Sequence, residues 1–236
     1  MGRSSLIYFG VLNACLICNS LSAKELSAAD QRTNAATFSS NYTAKDYSHL
    51  FGMSGFSDQL LKMHFELYQG YVKNTNLLLD TLKTMLRENK TKSYEYGALK
   101  RRVGWEFDGM RLHEFYFDNL GGKEMLDTST LFYQQLGKDF GSYENWKKDF
   151  IATGAMRGIG WAVLYKDPQT GRLMNMWINE HDLGHLAGGT PLLVMDVFEH
   201  AYMPQYGLDR AKYIDAFFDN IDWKVVAKRY TDSMKR

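Results

Sequence analysis

Apolar side chains recur at helical spacing over two long consecutive stretches, and the period then changes. In the first, Leu60, Leu61, His64, Phe65, Leu67, Tyr68, Tyr71, Val72, Leu78, Leu79, Leu82 and Met85 follow one another at helical intervals. Ser57 stands at the N-cap position with Asp58 in the first turn, and the helix is predicted to end before Asn89. The second is predicted over 94–120, with Trp105, Phe107, His113, Phe115, Tyr116, Phe117 and Leu120 on its aromatic face and Gly121-Gly122 as its stop. Two such helices in succession form a hairpin, which would bring His64 opposite His113. His64, Tyr68 and Tyr71 are spaced i, i+4, i+7, so Tyr71 lies on the same side of its helix as His64.

Beyond the hairpin, shorter helices are expected over 124–136 and 142–155, the second capped by Ser142. After Gly158 two strands follow, 161–165 and 172–178, joined by the turn Pro168-Gln169-Thr170-Gly171. The apolar run before Asp196 gives a third strand over 192–197, and helices return over 209–218 and 222–230. The fold class is therefore α+β: a long helical hairpin in an N-terminal domain (42–122), then a C-terminal domain (123–236) with helices and a small three-stranded antiparallel sheet.

The N-terminus reads as an export signal over 1–23: Arg3 supplies the charge, 6–17 the apolar region, and Ser20-Leu21-Ser22-Ala23 a small-residue cleavage site. A polar leader follows over 24–41. The chain is thus expected in the periplasm or secreted. Leu12-Asn13-Ala14-Cys15 leaves a lipoprotein anchored at Cys15 as a minor alternative. Both cysteines, Cys15 and Cys18, fall in the signal, so the mature chain would hold no disulfide and expose no thiol. A net charge of +1 gives no reason to expect a nucleic-acid partner. No later stretch is apolar for long enough to span a membrane.

Chemistry concentrates in Asp196-Val197-Phe198-Glu199-His200-Ala201-Tyr202. On a helical turn, Asp196 and His200 at i, i+4 would share one face, and the strand before them is expected to end in a turn or helix that delivers both from its end. A carboxylate with a neutral imidazole suits iron, manganese or zinc, although an N-capping Asp and a hydrogen-bonded core His give the same pattern. This stretch resembles the Asp-Val-Trp-Glu-His-Ala-Tyr signature of the iron/manganese superoxide dismutases. Arg111-Leu112-His113-Glu114-Phe115-Tyr116-Phe117 is similar to that family's Asn-His-Thr-Phe-Tyr-Trp, and Lys62-Met63-His64-Phe65 supplies a His on the first helix. Phe140-Gly141-Ser142-Tyr143-Glu144, Gly158-Ile159-Gly160-Trp161-Ala162, Pro191-Leu192-Leu193 and Tyr213-Ile214-Asp215-Ala216-Phe217 agree in order, so the resemblance covers about 42–230.

The resemblance implies one iron or manganese ion per subunit, iron favoured, held by His64, His113, Asp196 and His200 with solvent as a fifth ligand. By alternate oxidation and reduction of the ion, superoxide would become O2 and H2O2. Tyr71 would stand at the substrate entrance. The glutamine that usually tunes the ion has no counterpart at Gly109, so His181 is expected to take its place; His185, by contrast, is expected to be a solvated loop residue. The resemblance also implies a homodimer joined through Glu199 and the partner's His200. A second cross-subunit bond would fall on Tyr68 and Met203 and be weak or missing.

Two departures bear on the site. The interval from His64 to Tyr71 is one residue shorter than is common in the family, which rotates the downstream face by about 100° and could remove a helical bulge. Aligning on Tyr71 without a gap would put Met63 in the ligand position, but a thioether is a poor ligand for a hard trivalent ion, so His64 is retained. Family tryptophans are replaced by Phe117, Val163 and Phe198, which keep the wall apolar. Competing expectations are a metal-binding relative with little turnover and a non-haem iron oxygenase, which also uses two His and a carboxylate.

Overall fold

A serine caps each long helix, Ser57 as read from the sequence and Ser93 as the structure adds. Helix α1 (Asp58–Arg87) starts where Ser57 accepts a hydrogen bond from the Leu60 amide, and α2 (Tyr94–Asp118) where Ser93 accepts one from Tyr96. The structure, a computed structural model, describes residues 41–235; the export signal and all but the last residue of the leader lie outside them. Helix α1 is α-helical throughout, so no bulge interrupts it between His64 and Tyr71. The two helices pack as the predicted hairpin, with Tyr68, Val72, Tyr116 and Phe117 buried between them and their neighbours.

Helix α3 (Leu131–Phe140) begins later than expected. Asp127 accepts from the Ser129 amide and from the Thr130 hydroxyl, so the chain turns before Thr130 caps the helix at the Tyr133 amide. Helix α4 (Tyr143–Gly154) is capped by Ser142, as read from the sequence. Strands β1 (Gly160–Lys166), β2 (Leu173–Asn179) and β3 (Thr190–Asp196) form one antiparallel sheet in the order β2-β1-β3. The central strand β1 is buried along its whole length, which explains its unbroken apolar sequence. Helices α5 (Glu199–Tyr206), α6 (Arg210–Asp219) and α7 (Trp223–Asp232) complete the chain, the last two capped by Asp209 and Asp222. This is the expected α+β architecture.

One hydrophobic core runs from the hairpin through the sheet to the last helices, including Leu60, Tyr116, Val163, Leu193 and Val226. Asn119, at the end of α2, ties hairpin to sheet. Its side chain accepts from the Val194 amide at 3.0 Å and donates to the Val194 carbonyl at 3.2 Å. That bond lies two residues before Asp196 and fixes the end of β3 against α2. No helix among the described residues is long and apolar enough to cross a membrane.

Candidate metal centre

Asp196 is the last residue of β3, and its register is set by pairing with Trp161 on β1. It is not on a helix: α5 starts only at Glu199. Of the two expected geometries, a strand ending in a turn or in a helix, the structure shows the turn. Asp196 Oδ1 accepts the Phe198 amide at 2.8 Å, a local turn that brings the chain round so that His200 faces Asp196 Oδ2 at 3.1 Å. Tyr213 donates to the Asp196 carbonyl at 2.6 Å, and its own oxygen lies 3.1 Å from the Tyr116 hydroxyl. Both tyrosines are fully buried, so the Asp196 backbone is held from below.

The hairpin delivers the other two histidines. His64 is 2% exposed whereas Met63 is 40% exposed, so the helix turns His64 inward and Met63 outward. His64 Nε2 lies 3.1 Å from Asp196 Oδ2, and His113 Nε2 lies 3.6 Å from it. One donor atom from each of His64, His113, Asp196 and His200 falls within 4.8 Å of every other. Two ligands about 2.1 Å from a common ion stand about 3.0 Å apart at right angles and about 3.6 Å apart at 120°. The three separations from Asp196 Oδ2, 3.1 Å to His64, 3.1 Å to His200 and 3.6 Å to His113, match those edges.

Protonation states fit a metal as well. His113 Nδ1 donates to the Gly109 carbonyl at 2.6 Å, which places the proton of the neutral ring on Nδ1. Its Nε2 is then a bare lone pair, buried and without a hydrogen-bond partner. Such an orphaned acceptor is costly unless something fills it, and a cation facing the four donors does so. Burial lowers the pKa of His64, and lowers that of His113 further with the added effect of His64 beside it, so both rings favour the neutral, ligating form. Burial works against the Asp196 carboxylate, but His200 and His64 hold it well below the ordinary carboxylate range.

The wall around these donors is aromatic. Phe117 meets His64 edge-on at 4.9 Å, Trp161 meets His113 at 5.0 Å, and Phe198 stacks on His200 at 5.1 Å. Tyr71 stacks on His113 at 5.2 Å, and its hydroxyl lies 2.7 Å from His181 Nε2. Gly109 leaves room for that ring: a Cβ there would stand 2.7 Å from Tyr71 Cδ1. The lack of a side chain at Gly109 therefore does more than remove a glutamine, since the Tyr71 ring occupies the space beside it.

His181 is fully buried, not a solvated loop residue. Trp161 Nε1 donates to His181 Nδ1 at 3.1 Å, and an indole N–H can only donate. The neutral ring therefore carries its proton on Nε2 and donates it to the Tyr71 oxygen. Burial pulls the His181 pKa down to about 4 and pushes that of Tyr71 up, so both groups are neutral at ordinary pH. The sequence marks Trp161 only through the segment Gly158-Ile159-Gly160-Trp161-Ala162; its role follows from its register opposite Asp196.

One expectation changes. His185 is not a free loop residue: it stays partly exposed, but its ring bonds Tyr165 and the His181 carbonyl. Tyr68 is fully buried and donates to Glu114 Oε1 at 3.0 Å within its own chain. Glu199 is exposed at the start of α5, and His200, next to it, is partly exposed.

A model of the iron/manganese superoxide dismutase C-terminal domain matches residues 128–229. A superoxide dismutase [Fe] of Cupriavidus metallidurans is 38% identical over 187 residues, covering 78% of this chain and 92% of that protein. A superoxide dismutase [Mn] of Halobacterium salinarum is 36% identical over 178 residues, 75% of this chain and 87% of its own length. A superoxide dismutase [Fe] of Aquifex pyrophilus is 35% identical over 198 residues, 81% and 92% of the two chains. With these relatives aligned over most of its length and four metal-type donors gathered at the end of β3, the chain belongs to the iron/manganese superoxide dismutase family.

Proposed function

We propose that this chain is a superoxide dismutase whose iron or manganese ion is held by His64, His113, Asp196 and His200. The observation that carries the reading is the bare, buried Nε2 of His113 facing three further donors. When bound, the ion supplies a one-electron couple, so that one superoxide is oxidised to O2 and a second, with two protons, is reduced to H2O2. Three neutral imidazoles and one carboxylate offset one unit of the ion's charge and leave the site attractive to an anion. The His113 bond to Gly109 and the Tyr213 bond to Asp196 orient two of the donors in advance. Phe117, Trp161 and Phe198 exclude bulk water.

Tyr71 and His181 handle the protons in this reading. His181 donates from Nε2 to the Tyr71 oxygen, so the Tyr71 hydroxyl proton is free for an acceptor on the side of the metal donors. His181 takes the place of the glutamine that tunes the ion elsewhere in the family. We take iron as the natural ion, as in the relative from Cupriavidus metallidurans, with the manganese relatives as the counter-case. The exposure of Glu199 beside His200 supports a homodimer through these residues, and the sequence of 1–23 supports export to the periplasm or beyond. Purified mature chain, reconstituted separately with iron and manganese and assayed for superoxide loss, tests activity and metal together. Bound metal without dismutation would favour a binding protein, and O2 uptake dependent on a 2-oxo acid would favour an oxygenase.

A further inference from the structure

The loop between β2 and β3 has to place His181 inside the protein, and its backbone does so against local preference. Glu180 is held at φ +53°, a left-handed conformation that a residue with a Cβ adopts at a cost. Asn179 and Leu183 close a tight turn around it, with the Asn179 amide donating to the Leu183 carbonyl at 2.8 Å. The Glu180 amide donates to Ile159 at 3.1 Å. Gly184, at φ +107°, then turns the chain back against β2; a Cβ there would stand 2.8 Å from the Trp177 carbonyl. The next residue is His185, which therefore lies over β1 and under the loop.

His185 joins the two. The buried Tyr165 hydroxyl on β1 lies 2.7 Å from His185 Nδ1, and His185 Nε2 lies 2.8 Å from the His181 carbonyl. A carbonyl can only accept, so Nε2 carries the proton, Nδ1 is bare, and the tyrosine donates to it. The tautomer thus satisfies both bonds at once. Asp108 Oδ2 is 3.7 Å from Nε2, too far to compete for that proton.

We propose that His185 is a positioning residue: it pins the His181 carbonyl to β1, and so holds the His181 ring between Trp161 and Tyr71. The ring has little latitude, because Trp161 Nε1 and the Tyr71 oxygen lie on its opposite nitrogens at 3.1 and 2.7 Å. A loop displaced by a fraction of an ångström would lengthen one of these bonds. The proposal rests on the reading of His181 as the tuning residue, and deepens it.

The test uses the full mature chain as purified. Hydrogen exchange, read by mass spectrometry on peptides spanning 179–186, reports the loop without reference to activity. Potentiometric titration of the loaded protein reports the tuning. In His185→Leu, exchange in the loop should rise about tenfold, the scale of one lost hydrogen bond, while β1 and β3 stay as protected as in the wild type. The midpoint potential should shift in the same direction as in His181→Ala. His185→Gln, which keeps an N–H donor at similar reach, should recover much of both. Tyr165→Phe, which removes only the hydroxyl, gives a smaller effect of the same sign and serves if His185→Leu fails to fold. Unchanged loop exchange in His185→Leu and Tyr165→Phe would overturn the pinning. A freed loop with the wild-type midpoint, where His181→Ala does shift it, would overturn the positioning role. A midpoint unmoved in both variants would instead overturn the reading of His181 itself.

Discussion

Gly109→Ala puts the packing of Tyr71 to a test in which the sign of the effect decides. The added Cβ would stand 2.7 Å from Tyr71 Cδ1 and 2.9 Å from Cε1. Ordinary carbon contacts are about 3.5–4.0 Å, so the ring must retreat by roughly 1 Å. A retreat of that size takes the Tyr71 hydroxyl, now 2.7 Å from His181 Nε2, out of hydrogen-bond range. Overpacking of this kind costs about 1–3 kcal/mol, and the lost hydrogen bond about 1 kcal/mol more. Without a clash, Gly to Ala inside a helix stabilises by about 1 kcal/mol. The same substitution should therefore destabilise the wild type and stabilise Tyr71→Ala, where the ring is gone. Urea denaturation of the four members of that cycle measures the coupling directly. If Gly109→Ala has the same sign and size in both backgrounds, the Tyr71 ring does not occupy the space beside Gly109 and the account of this wall is wrong.

His181→Ala should leave metal content roughly intact while shifting the reduction potential and lowering activity; an unchanged midpoint would remove His181 from the tuning role. Because burial pulls the His181 pKa down to about 4, its ring stays neutral from pH 5 upward, and Tyr71, pushed above its usual 10, stays protonated up to that point. Activity between pH 5 and 9 should therefore show no limb assignable to His181, whereas a limb near pH 6.5 that vanishes in His181→Ala would contradict the burial argument. Tyr68→Phe strands the Lys45 amide and Glu114 Oε1, while Glu114 Oε2 keeps Arg111, and should cost about 1–3 kcal/mol in denaturation without changing oligomeric state. Glu199→Ala should weaken the dimer in sedimentation and lower metal content with it; a fully loaded, fully active dimer would rule out the proposed contact.

The elements that positioned the site were legible where local chemistry and periodicity agreed. Ser57, Ser142, Asp209 and Asp222 each sit at a helix start in the sequence and cap one in the structure. His64 and His113 could be placed opposite one another because two long apolar stripes in succession pack against each other as a hairpin. The start of α3 was missed because Asp127, Ser129 and Thr130 form a turn whose bonds compete with the helix before Thr130 caps it. The delivery of Asp196 and His200 from a strand end was legible because an apolar run of strand length stops at Asp196, and the structure shows that a turn, not a helix, brings the two together. His185 looked solvated because a polar residue between Gly184 and Leu186 carries no local sign of Tyr165, twenty residues away on β1.

Metal analysis of Asp196→Ala beside the wild type tests the central claim most directly. Asp196 Oδ2 lies 3.1, 3.1 and 3.6 Å from the Nε2 atoms of His64, His200 and His113, and it is the one anionic donor among the four. Wild-type chain should carry about one iron or manganese ion, and Asp196→Ala close to none, because removing the carboxylate takes away both a ligand and the charge that offsets the cation. A folded Asp196→Ala protein that binds iron and manganese as fully as the wild type would contradict the assignment.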